Sequence, residues 1–159
     1  MSFASLTEIQ KRQFARNCVE RKKAFTAWVN SKSIQPEKTI LIVGDRPGPK
    51  APQTDDYHHT PFYSKKWSGG WLNKQLVLAG IDETHLMWIN SATWDGVPTN
   101  PDILSAKKWN IVIALGNNAA KWLSSNGVGY SKIDHPQAHR RFKTKEEYPL
   151  LRLIQRLSA

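Results

Sequence analysis

Three short runs restrict the fold of this chain more than any other feature: Thr39-Ile40-Leu41-Ile42-Val43, His85-Leu86-Met87-Trp88-Ile89-Asn90 and Asn110-Ile111-Val112-Ile113-Ala114-Leu115. Each is apolar nearly throughout instead of alternating, which is the pattern of a strand covered on both faces in a parallel sheet. Parallel neighbours need crossover connections, and helical patterns lie between the runs. Gly70 to Ala79 sets Trp71, Leu72, Leu76, Leu78 and Ala79 on one stripe, with Gly80 as a C-cap. Asn117 is placed to cap a helix containing Ala119, Ala120, Trp122 and Leu123. The spacing also predicts an N-terminal helix over about 5–30, broken once, a short fourth strand over Tyr130–Ile133 and a C-terminal helix over about 146–157. The expectation is one α/β domain spanning 1–159, with a motif-bearing core over about 39–142. Its centre is a mostly parallel four-stranded sheet with helices on both faces.

Composition narrows the function. The 159 residues suffice for one hydrophobic core, and no apolar run reaches the length of a membrane span. The opening MSFASLTEIQKRQF lacks the apolar stretch of a signal peptide, so a cytoplasmic, membrane-free monomer is expected. The single cysteine, Cys18, rules out an internal disulfide and a four-thiolate metal or iron–sulfur site made by one chain. Lys and Arg outnumber Asp and Glu by 23 to 13, and the formal charge of +10 favours a polyanionic partner. Seven Trp and four Tyr add flat surfaces on which unstacked bases can lie, which points to DNA, duplex or single-stranded.

In an open parallel sheet ligands bind beyond the carboxyl ends of the strands. The residues delivered there are Gly44-Asp45-Arg46-Pro47-Gly48, Asn90-Ser91-Ala92-Thr93, Gly116-Asn117-Asn118 and Asp134-His135-Pro136-Gln137. The first loop lacks the second Gly and the Lys-Ser/Thr pair of a phosphate-binding loop, and no Gly-x-Gly-x-x-Gly or Gly-x-Ser-x-Gly occurs. His58-His59 with Asp55-Asp56 has no spaced partner set, so no metal is expected. The long Asp45-to-Ser68 segment holds four of the nine prolines and reads as a functional loop.

Taken in order, these segments resemble the uracil-DNA glycosylase superfamily, most closely the families with a Gly-Glu-x-Pro-Gly first motif. Gly44-Asp45-Arg46-Pro47-Gly48 matches that motif with Asp for Glu. Pro61-Phe62 and Ser68-Gly69-Gly70-Trp71-Leu72 match a Pro-Phe and a small-residue turn. Asn90 follows a strand, Leu115-Gly116-Asn117-Asn118-Ala119-Ala120 matches a Leu-Gly-x-x-Ala-Ala segment, and His135-Pro136-Gln137 matches the terminal His-Pro motif. The match spans about Ile40 to Arg141, without the iron–sulfur cysteines of those families, so no cofactor is expected.

The resemblance implies a monofunctional DNA glycosylase that flips out uracil or a modified pyrimidine, such as glucosylated hydroxymethylcytosine, and leaves an abasic site. Breaking the base–sugar bond builds positive charge on the sugar and negative charge on the base. Asp45 and His135 are the implied catalytic pair, the carboxylate facing the sugar and the imidazole donating to the base oxygen. Phe62, Asn90 and Gly44 are the implied base-binding residues. Arg46, Gln137, His139, Arg140, Arg141 and Lys143 are the implied DNA contacts. Each residue also fits a plainer role: Asp45 as a turn cap, His135 as a structural histidine, Phe62 as core, the basic run as a solvated face. Asn100 competes with Asn90 as base reader. Other functions left open are a catalytically silent DNA binder and an enzyme of free nucleosides or nucleotides.

Overall fold

The computed structural model describes residues 6–45, 67–93, 95–143 and 146–157. In chain order the elements are α1 (Glu8–Ser31), β1 (Ile40–Gly44), α2 (Trp67–Leu78), β2 (Leu86–Asn90) and α3 (Asp102–Ser105), then β3 (Ile111–Leu115), α4 (Asn117–Ser125), β4 (Ser131–Ile133), α5 (Pro136–Phe142) and α6 (Pro149–Leu157). The four strands form one sheet in the order β2-β1-β3-β4, and every pairing is parallel. Among the described residues the sheet is thus wholly, not mostly, parallel.

Every residue of β1 and β2 is buried, because successive side chains point to opposite faces and both faces are covered. Leu41, Val43, Met87, Ile89 and Ala114 turn toward Phe25 and Trp28 of α1 and Ala119 and Leu123 of α4. Ile40, Ile42, Trp88, Ile113 and Leu115 turn the other way, toward Leu72 and Leu76 of α2 and Leu150, Leu151 and Ile154 of α6. Two cores sharing one sheet explain why the strand sequences carry no polar alternation.

The helix boundaries have local causes. α1 is a single unbroken helix, where the sequence predicts one break. It opens with a capping box in which the Thr7 hydroxyl accepts from the Gln10 amide at 3.1 Å and the Gln10 side chain accepts from the Thr7 amide at 2.9 Å. α2 ends as expected at Gly80, whose φ of +68° lets the Ile81 amide reach back to the Leu76 carbonyl at 3.0 Å. α4 is not capped by Asn117. Gly116 holds the cap position with no side-chain acceptor, and Asn117 is the first helical residue. α6 starts at Pro149 instead of near Glu146, since the residue before a proline is driven out of the helical region. The segment after His135-Pro136, read from sequence as a basic loop, is helix α5. No helix among the described residues is long and apolar enough to cross a membrane.

One buried polar cluster ties α1 to the rest. The Arg21 guanidinium makes a two-pronged contact with the Glu83 carboxylate, at 2.7 and 2.6 Å, and also donates to Asn73 of α2. Its carbon lies 4.1 Å from the ring centroid of Trp88 of β2, and the Trp88 indole donates to Glu83 at 3.0 Å. Both charged side chains are almost fully buried. Removing one partner leaves the other uncompensated where it is almost fully buried, so Glu83→Gln or Arg21→Met should lower stability by about 3–5 kcal/mol. Urea unfolding would read that loss as a lower midpoint, and a midpoint within error of the parent's would show that the cluster does not hold α1.

Candidate functional site

The carboxyl ends of the four strands bring the sequence-predicted loops onto one rim. The chain leaves β1 for β2 on one side and enters β3 on the other, so the strand order reverses between β1 and β3. A crevice opens at such a reversal. Asp45 follows β1 at this point, and Asn118 stands in the first turn of α4, just after β3. The Asn118 Nδ2 donates to the Asp45 Oδ2 at 3.0 Å, across the crevice. The carboxylate therefore lies by the amide-rich start of α4, where negative charge is favoured. The backbone of this corner is held as well. The Ser91 amide donates to the carbonyls of Gly44 and Asp45 at 2.9 and 3.1 Å, which ties the end of β1 to the end of β2.

His135 comes from the next strand end. The Gly116 amide donates to the Ile133 carbonyl at 2.8 Å, so β3 and β4 stay paired up to the residues that turn toward the rim. Gly116 has φ +97° and ψ 179°, a conformation open essentially only to glycine, and a Cβ placed there would stand 3.0 Å from the His135 Cβ. Glycine is needed on both counts: the backbone angle and the close approach of the histidine. His135 is also the N-cap of α5, its Nδ1 accepting from the Gln137 amide at 3.1 Å, with Pro136 in the first helical position. A ring nitrogen that accepts carries no proton, so the neutral imidazole keeps its hydrogen on Nε2. Burial holds the His135 pKa below the ordinary histidine value, and the Asp45 charge partly opposes that shift. From behind, the Tyr148 hydroxyl donates to the Asp134 carbonyl at 2.6 Å. Burial raises the pKa of that phenol, which stays a donor.

Asn90 ends β2, level with Gly44 in the sheet register, and is only 6% exposed. Its carbonyl accepts from the Thr99 hydroxyl at 2.6 Å. No described residue hydrogen-bonds its carboxamide, an uncommon state for a buried amide. Asn100 is different. It is exposed, and its side-chain oxygen accepts from the Asp102 amide at 3.0 Å, a turn-capping role.

The structure thus gathers Gly44, Asp45, Asn90 and His135 at one end of the sheet, and adds Asn118 and Gly116, to which the sequence reading gave no role. A Gly before Asn-Asn at a strand end was the available signal. Gln137, Arg140 and Arg141 are exposed on α5. Lys143 is exposed too, with its ammonium 3.6 Å from the Asp134 carboxylate. His139 does not stand on the rim. It is 2% exposed, its Nε2 lies 2.8 Å from the Glu146 carbonyl, and its ring sits 5.1 Å from Tyr148 and 5.8 Å from Trp71. The reason is helical spacing: three residues after Pro136, His139 falls on the side of α5 that meets the core. Arg46 and Phe62, with His58-His59 and Asp55-Asp56, lie outside the described residues. Among the described residues no three His, Cys, Asp or Glu cluster as metal ligands.

Two outcomes follow from this geometry. Gly116→Ala should cost about 1–3 kcal/mol of stability, from backbone strain at that position; an unchanged denaturation midpoint would contradict the tight Gly116–His135 contact. The His135 imidazole, followed by NMR, should titrate below the ordinary value of about 6.5, and Asp45→Asn should move its midpoint lower still, because a favourable charge is lost. The folded chain then binds this proton more weakly than the unfolded chain. The stability His135 contributes is complete above the ordinary histidine range and falls away as the pH drops through it. No protein-family model and no curated protein matches the chain.

Proposed function

We propose that the chain is a metal-independent DNA glycosylase that hydrolyses the bond between a flipped pyrimidine and its deoxyribose. The observation that carries this reading is two groups on one rim of the sheet: a carboxylate held by Asn118 at the β1–β3 reversal, and beyond the end of β4 a neutral imidazole that feels its charge and keeps its proton on Nε2. The reaction needs such a pair. As the C1′–N bond lengthens, Asp45 stabilises the developing sugar cation and orients a water whose oxygen bonds to C1′. The His135 Nε2–H donates a hydrogen bond to the pyrimidine oxygen that takes up the electron pair. A proton from the attacking water balances the step, so the products are a free base and an abasic site.

Two further features support a nucleotide substrate. The buried Asn90 carboxamide offers a donor and an acceptor in one plane, which suits a pyrimidine edge once the base has left the helix. The exposed Arg140 and Arg141 follow His135 on α5, and the chain carries a net charge of +10, which suits phosphate contact.

The test is release of base from oligonucleotides carrying uracil, hydroxymethylcytosine or glucosylated hydroxymethylcytosine, with alkali to convert abasic sites to strand breaks. One of these substrates should be cut. Asp45→Asn and His135→Ala should each slow release by about 100-fold or more while the protein stays folded. Full release by either variant would remove that residue from the mechanism. Tight DNA binding without release of any base would replace the enzyme with a silent binder of the same fold.

A further inference from the structure

α5 carries an aromatic ring where the structure gives it no cover. Phe142, the last residue of the helix, is 78% exposed. The register of α5 is set by Pro136 and His139, both buried, so the helix cannot turn to hide the ring without drawing His139 out of the core. Phe142 is flanked by cations. Arg140 and Arg141 are exposed, the Arg141 guanidinium carbon lies 5.8 Å from the Phe142 ring centroid, and neither arginine forms an ion pair among the described residues. Lys143 is the exception, since its charge is met by Asp134.

An exposed ring beside the Arg141 guanidinium, which forms no ion pair among the described residues, fits a base with its phosphates, since every base has a π-face and the strand brings its own negative charge. The same helix begins at His135. With about 1.5 Å of rise per residue, Phe142 stands about 10 Å along the axis from the imidazole, close to three nucleotides of stacked strand. In a duplex the faces of those bases are taken by their neighbours, and the ring gains contact only by unstacking them. In an unpaired strand a face is free.

We propose that Phe142, with Arg140 and Arg141, is a stacking platform for an unpaired base a few nucleotides from the one in the crevice, and that it makes the protein favour single-stranded over duplex DNA. This inference rests on the DNA reading above, and the test separates the two. The probe is an oligonucleotide with 2-aminopurine, whose fluorescence falls when it stacks, three positions from a uracil, presented alone or in a duplex. The parent protein should bind the single strand more tightly and quench the probe. Phe142→Ala should weaken single-strand binding by about tenfold and abolish the quench, with duplex binding changed by less than about twofold. Phe142→Leu keeps the bulk without the π-face and should behave like the alanine variant, while Phe142→Trp should restore binding and quench. Equal loss on both forms of DNA, unchanged binding by Phe142→Ala, or no rescue by tryptophan overturns the platform and leaves the glycosylase reading standing. If the parent binds neither form, both fall together.

Discussion

The backbone of β1 has to satisfy its hydrogen bonds on both edges, and the rest of the molecule follows from how it does so. β2 takes one edge and β3 the other, both parallel, so the chain must cross the sheet in opposite senses before and after β2. Helices then cover both faces, and every side chain of the strand is buried. The reversal leaves a crevice at the carboxyl ends of β1 and β3, and the first residue beyond β1 is a carboxylate. Placing Asp45 there needs no special device. Keeping its orientation does, and Asn118 supplies it from the opposite wall.

The stretch from Ile133 to Tyr148 serves structure and site together. His135 caps α5 through one ring nitrogen, which leaves the proton of the neutral ring on the other, so a requirement of helix initiation also decides the tautomer. His139, one turn later, goes into the core beside Trp71 and Tyr148, and Tyr148 holds the carbonyl just before His135. Gly116 is the small partner that lets the imidazole come so close to β3. The Arg21–Glu83 cluster has the opposite character, since it holds α1 against β2 and α2 at the far end of the strands.

The strands were legible because burial on both faces leaves an unbroken apolar run, and each expected run lies within one residue of an observed strand. The α2 end at Gly80 was legible for a similar reason: the positive φ there suits glycine. α5 was not. Only Pro136 and His139 of its seven residues are buried, too few for a periodic signal, and histidine is not among the usual capping residues. The same gap set His139 among the DNA contacts, because a basic run with no visible helix offers no way to tell its inner face from its outer one.

Local chemistry therefore determined the strands, the longer helices, the parallel sheet and the loops that carry Asp45, Asn90 and His135, since strand burial and turn residues are written within a few positions of one another. Which side of β1 each neighbour takes was left to the tertiary structure, and with it the pairing of Asp45 to Asn118, 73 residues away. The burial of His139 against Trp71 was decided there as well. These depend on contacts between segments far apart in the chain, and no spacing rule within a single segment encodes them.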